Sequence, residues 1–404
     1  MLREEYYQRI RFVVQFGRAL HTVGAPAHTL EAALMALCQR LGLKGAFVSI
    51  PTAIFCSFRF LDEEVARIVR IEPSGIHLGR LSKTDRIAQE VINGTCTFEE
   101  GAQRLEEIFK GPDGLPLKYT VPGFALTSAG MMTLFGGSWG DLLCAGLIGA
   151  VIGALSLARN FGLVTQMYEV FMAMLAAIAA GLLARLSPDI NAGLVILASL
   201  IIFIPGLNIT ISIAEIATQN LTSGTSRLMG GAMILLKLTF GVFVGGKLAT
   251  LVPGGQLSWL SYAEIPDWVT ILTVPVTAAM STVVFKAERE DLKWVTLAGV
   301  YGYALSKVAT YHLGPEMGLF IGGMGVGIGA NLFARLLLKP SSVFQFPGLV
   351  LLVPGSVGYR GLAYLYARDV VMGFDTAFSM LALAFSLVMG VFLGNIILKP
   401  RTNF

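Results

Sequence analysis

Ten apolar stretches follow one another between residues 119 and 398, and they limit what this chain can fold into more than any other feature. Most are close to the roughly 20 residues that an α-helix needs to cross a bilayer. Inside lipid every backbone N–H and C=O group must be bonded internally, so stretches of this length predict helices. The sequence therefore predicts an all-α polytopic membrane protein. The stretches are 119–136, 141–158, 165–184, 190–206, 228–248, 267–285, 294–311, 315–338, 343–358 and 376–398.

Charge is distributed unevenly along the 404 residues, of which only 14% are charged. Residues 1–118 hold 15 of the 30 Lys and Arg and 14 of the 26 Asp and Glu, which is the composition of a soluble domain. We call residues 1–116 the head and residues 117–404 the body. The apolar body excludes a soluble enzyme, a fibrous protein and a disordered chain. A dispersed net charge of +4 gives no sign of nucleic-acid binding.

The head is predicted to be a small α+β domain. Gly24-Ala25-Pro26 ends one helix and starts the next. Residues 45–60 and 64–72 are rich in Val, Ile and Phe, and Asp62-Glu63 separates them as in a β-hairpin. Because the first residues are charged and contain no apolar h-region, we expect no cleaved signal peptide and a cytoplasmic head.

The head contains no pattern of residues that indicates catalysis or metal binding. His21 and His28 are separated by a helix break, so a structural or regulatory role is favoured for them. The cysteines are widely spaced and are expected to be buried free thiols. We therefore expect a protein that is not an enzyme and has no cofactor and no metal. The cysteines are Cys38, Cys56, Cys96 and Cys144.

An internal repeat divides the body into residues 117–250 and 251–404. Three short segments of the first half recur in the second half, in the same order and at an offset of 149 or 150 residues. Each half then contains five spans, and an odd number of spans turns one copy upside down relative to the other. This is the inverted-repeat plan of secondary transporters. The matching segments are 182–186 with 332–336, 205–206 with 354–355, and 241–245 with 390–394.

The distribution of Lys and Arg predicts that both termini lie in the cytoplasm. With the head inside, the inner loops hold nine basic residues and the outer loops hold four. For Arg360 and Arg368, which follow the second broken helix, a cavity is the alternative location. The inner group is Arg159, Arg227, Lys286, Arg289, Lys293, Arg335, Lys339, Lys399 and Arg401; the outer group is Arg185, Lys247, Arg360 and Arg368.

Two of the apolar stretches, 190–206 and 343–358, are short. Each has a proline followed by a glycine near its end, Pro205-Gly206 in the first and Pro354-Gly355 in the second. Such a pair breaks a helix within or near the membrane. A half-helix that begins at either glycine directs free N–H groups and a positive dipole end toward the carboxylate of a substrate. Asn208, Ser212 and Ser356 are predicted to bind the ammonium and hydroxyl groups of that substrate.

Two ionisable residues are predicted to act in transport. Glu215 shares a polar helix face with Asn208 and Ser212, which indicates either a water-filled cavity or a helix lying at the membrane surface. It is the predicted proton-coupling group. Lys237 lies near the middle of the stretch 228–248, where an unpaired charge is costly, so it is predicted to bind substrate, with Glu215 as its partner.

Five segments occur in order along the chain: Gly17…Gly24-Ala25-Pro26…His28…Glu31…Leu41-Gly42, Thr97–Ala102, Gly136–Leu143, Ile204-Pro205-Gly206 and Leu352–Ser356. Together they resemble the threonine/serine exporter family. The resemblance covers nearly the whole chain and implies a ten-span inner-membrane exporter of small hydroxy amino acids that is driven by the proton gradient. The two halves are also similar to paired subunits that export a dicarboxylate, so the chain resembles a fusion of the two.

The sequence therefore predicts an alternating-access exporter whose partners are a small-molecule substrate, protons and the lipid bilayer, with a homo-oligomer left open. A dicarboxylate exporter is the alternative, because Lys237, Arg360 and Arg368 would suit two carboxylates. A channel or an intramembrane enzyme is less compatible with the sequence. The spans contain no paired aspartates, no Ser/His pair and no His-Glu metal motif.

Overall fold

The computed structural model describes residues 3–60, 63–72, 75–110, 116–156, 164–185, 187, 189–251, 265–366 and 368–400. The protein is mostly helical and has a small N-terminal sheet. Within the described residues, six helices are long and apolar enough to cross a membrane, and two shorter helices are similarly apolar. The predicted class, a helical membrane protein preceded by a small α+β domain, is confirmed. The number of ten spans stays a prediction.

The head combines four helices with a three-stranded antiparallel meander in the order β1-β2-β3. The first predicted strand, residues 45–60, is in fact two strands, because the chain turns at residues 51–52 and Ile50 pairs with Ala53. The sheet therefore has three strands where two were predicted. Asp62 lies outside the described residues. All four cysteines are free and buried, as predicted. The elements are α1 (Arg3–Thr22), α2 (Ala27–Arg40), β1 (Lys44–Ile50), β2 (Ala53–Phe60), β3 (Glu63–Arg70), α3 (Leu78–Ile92) and α4 (Phe98–Lys110).

Each predicted apolar stretch of the body contains helix, and most helix ends agree to within three residues. Both short stretches are interrupted at their Pro-Gly pairs, and a second helix starts after each break. The elements are α5 (Leu117–Leu134), α6 (Trp139–Leu155), α7 (Val164–Leu183), α8 (Ala192–Ser199), α9 (Gly206–Ala217), α10 (Leu221–Thr250), α11 (Asp267–Val284), α12 (Leu292–Leu313), α13 (Pro315–Leu337), α14 (Ser342–Val350), α15 (Gly355–Tyr366) and α16 (Val370–Ile397). Of these helices, α10 and α16 begin earlier than predicted, and α9 and α15 continue beyond the predicted ends of the short stretches.

The two halves of the body pack in the same pairwise pattern. In the first half α5 contacts α6, while α7 and α9 both contact α10. In the second half α11 contacts α12, while α13 and α15 both contact α16. Between the halves α5 packs on α11, α9 packs on α16, and α15 packs on α10. Each contact in one half thus has a counterpart in the other.

The repeated glycine segments occupy equivalent positions in this packing. A Cβ atom on Gly241 of α10 would lie 2.5 Å from the carbonyl oxygen of Val170 in α7. A Cβ atom on Gly390 of α16 would lie 2.0 Å from the carbonyl oxygen of Phe320 in α13. Val170 and Phe320 are themselves one repeat apart. Glycine is needed at both positions because any side chain would push the two backbones apart.

This close approach predicts different effects for two glycines of the same helix. Gly241→Ala should lower the thermal unfolding temperature of the detergent-solubilised protein, because the new methyl group meets the backbone of α7. Gly230→Ala is the matched control, since a Cβ atom there has no neighbour within 4 Å. Alanine is a better helix former than glycine by about 0.5–1 kcal/mol, so this control should be neutral or stabilising. Equal unfolding temperatures for the two variants would contradict the packing described.

Candidate functional site

The two helix breaks lie against each other. A Cβ atom on Gly206 would lie 3.0 Å from the Cα atom of Gly355 and 2.4 Å from Cγ1 of Val353. The N-termini of α9 and α15 begin at these glycines, so the two half-helices start side by side. The first N–H groups of a helix have no acceptor within the helix and form the positive end of its dipole. The crossing of the two breaks is therefore a favourable place for an anion.

The head contacts one end of the body. The carbonyl oxygens of Phe285 and Lys286, at the end of α11, accept hydrogen bonds from the N–H groups of Leu78 and Gly79 at distances of 2.9 and 3.1 Å. α12 starts shortly after this contact, so it runs from the head side toward the opposite face. α14 also begins on the head side, where it contacts α3.

A cavity of about 450 Å³ lies between the second helix break and the face away from the head. Its walls are the end of α5, the second half of α12, the α14–α15 segment around the break, and single residues of two other segments, Ile201 after α8 and Leu319 of α13. Such a volume is within the usual range for small-molecule sites. The polar side chains in its lining are those of Tyr303, Ser306, Lys307, Thr310, Ser356 and Arg360.

The cavity lining is basic. Lys307 comes from α12 and Arg360 from α15, and among the described residues neither side chain forms an ion pair. The Arg360 guanidinium lies 5.8 Å from the centre of the Phe135 ring. No Asp or Glu belongs to the described lining. Cations with neighbouring hydroxyl groups can bind a carboxylate through charge-assisted hydrogen bonds.

The structure places the predicted substrate residues at two different locations. Ser356 lines the cavity, and Gly206 and Gly355 form the crossing beside it. Asn208 and Ser212 are not in the lining, and the buried Ser212 hydroxyl donates to the carbonyl oxygen of Ile209 in its own helix at 2.6 Å. The polar face of α9 therefore does not face this cavity.

Glu215 is fully buried where α9 meets the head, and it does not pair with Lys237 as predicted. Its two oxygens accept hydrogen bonds from Nε and Nη2 of Arg227 at 3.0 and 3.1 Å. Oε1 also accepts from the backbone N–H of Ala27 at 2.9 Å. Ala27 is the first residue of α2, so a carboxylate of the body caps a helix of the head.

Lys237 contacts α7 instead of Glu215. Its ammonium donates to the carbonyl oxygen of Gln166 at 2.8 Å and lies 3.5 Å from Oε2 of Glu169. Gln166 is the third residue of α7. The predicted pairing with Glu215 is therefore wrong, while Lys237 lies close to the middle of α10 and its mid-span position stays a prediction.

The head side of the Glu215 contact contains further titratable groups. The ring Nε2 of His21 lies 2.8 Å from the carbonyl oxygen of Ile50. Burial lowers the pKa of both His21 and His28, while the nearby Glu215 raises each pKa and Arg227 lowers it. Burial raises the pKa of Glu31, whose Oε1 accepts from the Ser49 N–H at 2.7 Å. These groups surround the contact between head and body.

Two buried aspartates, one repeat apart, fix the broken helices at their starts, which the sequence did not reveal. Asp141 in α6 accepts from the backbone N–H groups of Ser138 and Asn191 at 2.8 and 2.7 Å and so joins α6 to the start of α8. Asp291, just before α12, pairs with Lys339 close to the start of α14. Their only signal in the sequence is the spacing of 150 residues.

The partner of Glu215 can be tested by double-mutant cycles on the unfolding free energy in detergent. Glu215→Gln and Arg227→Gln should show a coupling energy of about 0.5–3 kcal/mol, because the two side chains are in contact. Glu215→Gln and Lys237→Gln should be additive to within about 0.5 kcal/mol, as expected for separate sites. Coupling with Lys237 and additivity with Arg227 would reverse the assignment.

Comparison with known proteins covers both halves of the chain. A family model described as "Putative threonine/serine exporter" matches residues 11–249, and one described as "Threonine/Serine exporter, ThrE" matches residues 270–397. No solved structure matches the chain.

Similar proteins include pheromone-regulated membrane protein 10 of three yeasts. The Yarrowia lipolytica protein is 26% identical over 88% of this chain and 30% of its own length. The Candida albicans protein is 26% identical over 92% of this chain and 34% of its own length. The Kluyveromyces lactis protein is 23% identical over 91% and 40%. The chain thus spans about a third of the length of these relatives. Since the first family model alone covers more than half of the residues, the chain belongs to the threonine/serine exporter family.

Proposed function

We propose that this protein is a secondary active transporter that exports threonine and serine across the inner membrane by alternating access, driven by the proton gradient. Membership of the exporter family supports transport in general. The observation that carries the proposal is the cavity at the second helix break. It combines the start of α15 with the hydroxyl group of Ser356 and the cations Lys307 and Arg360.

Residues 117–250 and 251–404 are proposed to be two inverted repeats of five spans. The matching helix contacts support this arrangement. So does the contact between Gly206 and Gly355, because residues at equivalent positions touch where an approximate twofold axis passes between two repeats. A cytoplasmic head is part of the proposal, and it is supported by Arg227 and Lys286 of the predicted inner group, which lie beside the head. Arg159 and Arg401 of that group lie outside the described residues.

In this arrangement the cavity faces outward. A substrate carboxylate would lie between the start of α15 and the two cations, where both the helix dipole and the charges are favourable. Hydroxyl groups of Ser306, Thr310 and Ser356 would bind the ammonium and hydroxyl groups of threonine or serine. Rocking of one half against the other about the crossing would then expose the same site to the head side.

The proton-coupling role of Glu215 stays a prediction. In the structure its carboxylate is bonded to Arg227 and to the Ala27 N–H, so a proton would reach it only after these contacts open. Such an opening is compatible with a transport cycle in which the head side is exposed in one state.

Export of a dicarboxylate is the second candidate. It is favoured by one specific observation, the presence of two cations and no acidic side chain in the described cavity lining. A zwitterionic amino acid needs one cation for its carboxylate, whereas a dicarboxylate such as succinate uses two.

Counterflow in proteoliposomes separates the two candidates. Vesicles loaded with unlabelled threonine, serine or succinate are given the labelled compound outside, and uptake by exchange is measured. The proposal predicts exchange of threonine and serine and little exchange of succinate. Exchange of succinate alone would show that the protein is a dicarboxylate exporter, which is the second candidate. Exchange of none of the three compounds would contradict both candidates.

The role of Arg360 is tested by a matched pair of arginine variants. Arg360→Met should raise the half-saturating substrate concentration about tenfold or more, because a charge-assisted hydrogen bond contributes roughly 1.5–3 kcal/mol. Arg368→Met is the control, because Arg368 follows the same helix but does not belong to the cavity lining. Equal effects of the two substitutions would show that Arg360 acts through the overall charge of this face and not in the cavity.

A further inference from the structure

The proposed repeats identify the counterpart of the cavity on the head side. Phe135 and Arg360 belong to the cavity, and the residues one repeat away are Phe285 and Ile211. An inward-facing state would have to open between these two residues, just as the outward cavity is open between Phe135 and Arg360. Under the proposed repeats, this is the surface that has to become accessible when the transporter faces the head.

That surface is covered by the head. Ile211 is 6% exposed and Phe285 is 7% exposed, and both belong to the same apolar cluster as the core of the head. Leu78 in α3 is fully buried in this cluster, and its N–H donates to the carbonyl oxygen of Phe285 at 2.9 Å. Phe135 and Arg360 line the outward cavity, and the residues one repeat away from them thus lie at a surface that the head covers.

The capping contact of Glu215 holds the head at this place. Glu215 lies one helical turn after Ile211, so both side chains are on the same face of α9. The Arg227 guanidinium fixes the carboxylate, and the Ala27 N–H binds it from the head. Because the carboxylate is fully buried, separating it from α2 exposes both the charge and the apolar surface next to it.

We infer that the head is the gate of the head-side pathway, closed by the contact of the Glu215 carboxylate with the N-terminus of α2. Opening toward the head side requires α2 and α3 to move away from Ile211 and Phe285. This inference rests on the proposed alternating access, since a transporter must open that side once in each cycle. The head thereby has a role in the transport cycle, although no residue of the head belongs to the described cavity lining.

One substitution removes the contact from the head alone. Ala27 is the first residue of α2, the helical position at which proline is best tolerated. Pro26 before it has φ −61° and ψ 147°, a conformation that a following proline favours. Ala27→Pro therefore deletes the N–H from which Glu215 accepts a hydrogen bond. The ring Cδ takes the place of that hydrogen, so the carboxylate can no longer approach α2, while the first helical position tolerates the proline. Ala27→Gly is the matched control, because it keeps the N–H.

The test measures access to a single cysteine at Ile211 in the full chain, with the four native cysteines replaced by alanine. Membrane vesicles with the head side outward are treated with an impermeant maleimide. Cysteine at position 211 should react slowly in the parent and in Ala27→Gly, and at least tenfold faster in Ala27→Pro. The same rate in all three would contradict the inference, and this readout needs no substrate.

Counterflow in the same variants tests whether the movement belongs to the transport cycle. If release of the head precedes inward opening, Ala27→Pro should exchange substrate at least threefold faster than Ala27→Gly. Faster labelling with an unchanged or reduced exchange rate would show that the head is only a docked domain. Absence of exchange in the parent would instead count against the proposed function, while the labelling result would still report whether the contact holds the head.

Discussion

A helix that is interrupted inside a membrane leaves backbone N–H and C=O groups that lipid cannot bind, and this constraint shapes the whole body. The two interruptions are placed where protein covers them, each against the other at Gly206 and Gly355. The half-helices can meet this closely because neither position carries a side chain. The glycine contacts of α10 with α7 and of α16 with α13 hold the surrounding helices at a similarly short distance.

The side chains around this crossing differ between the side that faces away from the head and the side that faces the head. Toward the face away from the head, the crossing opens into a cavity with hydroxyl groups and two cations. Toward the head, the corresponding surface is apolar and covered, and its buried acid is bonded to Arg227 and to the first N–H of α2. A buried carboxylate without such partners would cost several kcal/mol, so Arg227 and α2 together stabilise the closed arrangement.

The sequence predicts what depends on local chemistry. The helices of the body, the breaks at Pro205 and Pro354 and the small α+β head follow from apolar length, Pro-Gly pairs and β-branched runs, and the structure agrees with each. The repeat was visible because its glycine segments must keep their spacing. Ser356 was predicted because it follows a break directly, and it lines the cavity, while its role in binding substrate stays a prediction.

The partners of the charged residues could not be predicted, because they are set by contacts between distant segments. Ala27 and Glu215 are 188 residues apart, and nothing in either segment indicates the other. Lys237 was predicted to pair with Glu215, whereas its partners, Gln166 and Glu169, belong to α7. Lys307 reaches the cavity only because α12 packs against α13 and α14, which hydropathy does not indicate.

The most direct test of alternating access about the crossing is the labelling of a single cysteine at Ser356 by an impermeant thiol reagent from either side of the membrane. The account predicts rapid labelling from the face away from the head and slow labelling from the head side. Transported substrate should slow the first reaction by occupying the cavity, and turnover should speed the second. Equal labelling from both sides, or labelling that substrate does not change, would contradict a site that is exposed to one side at a time.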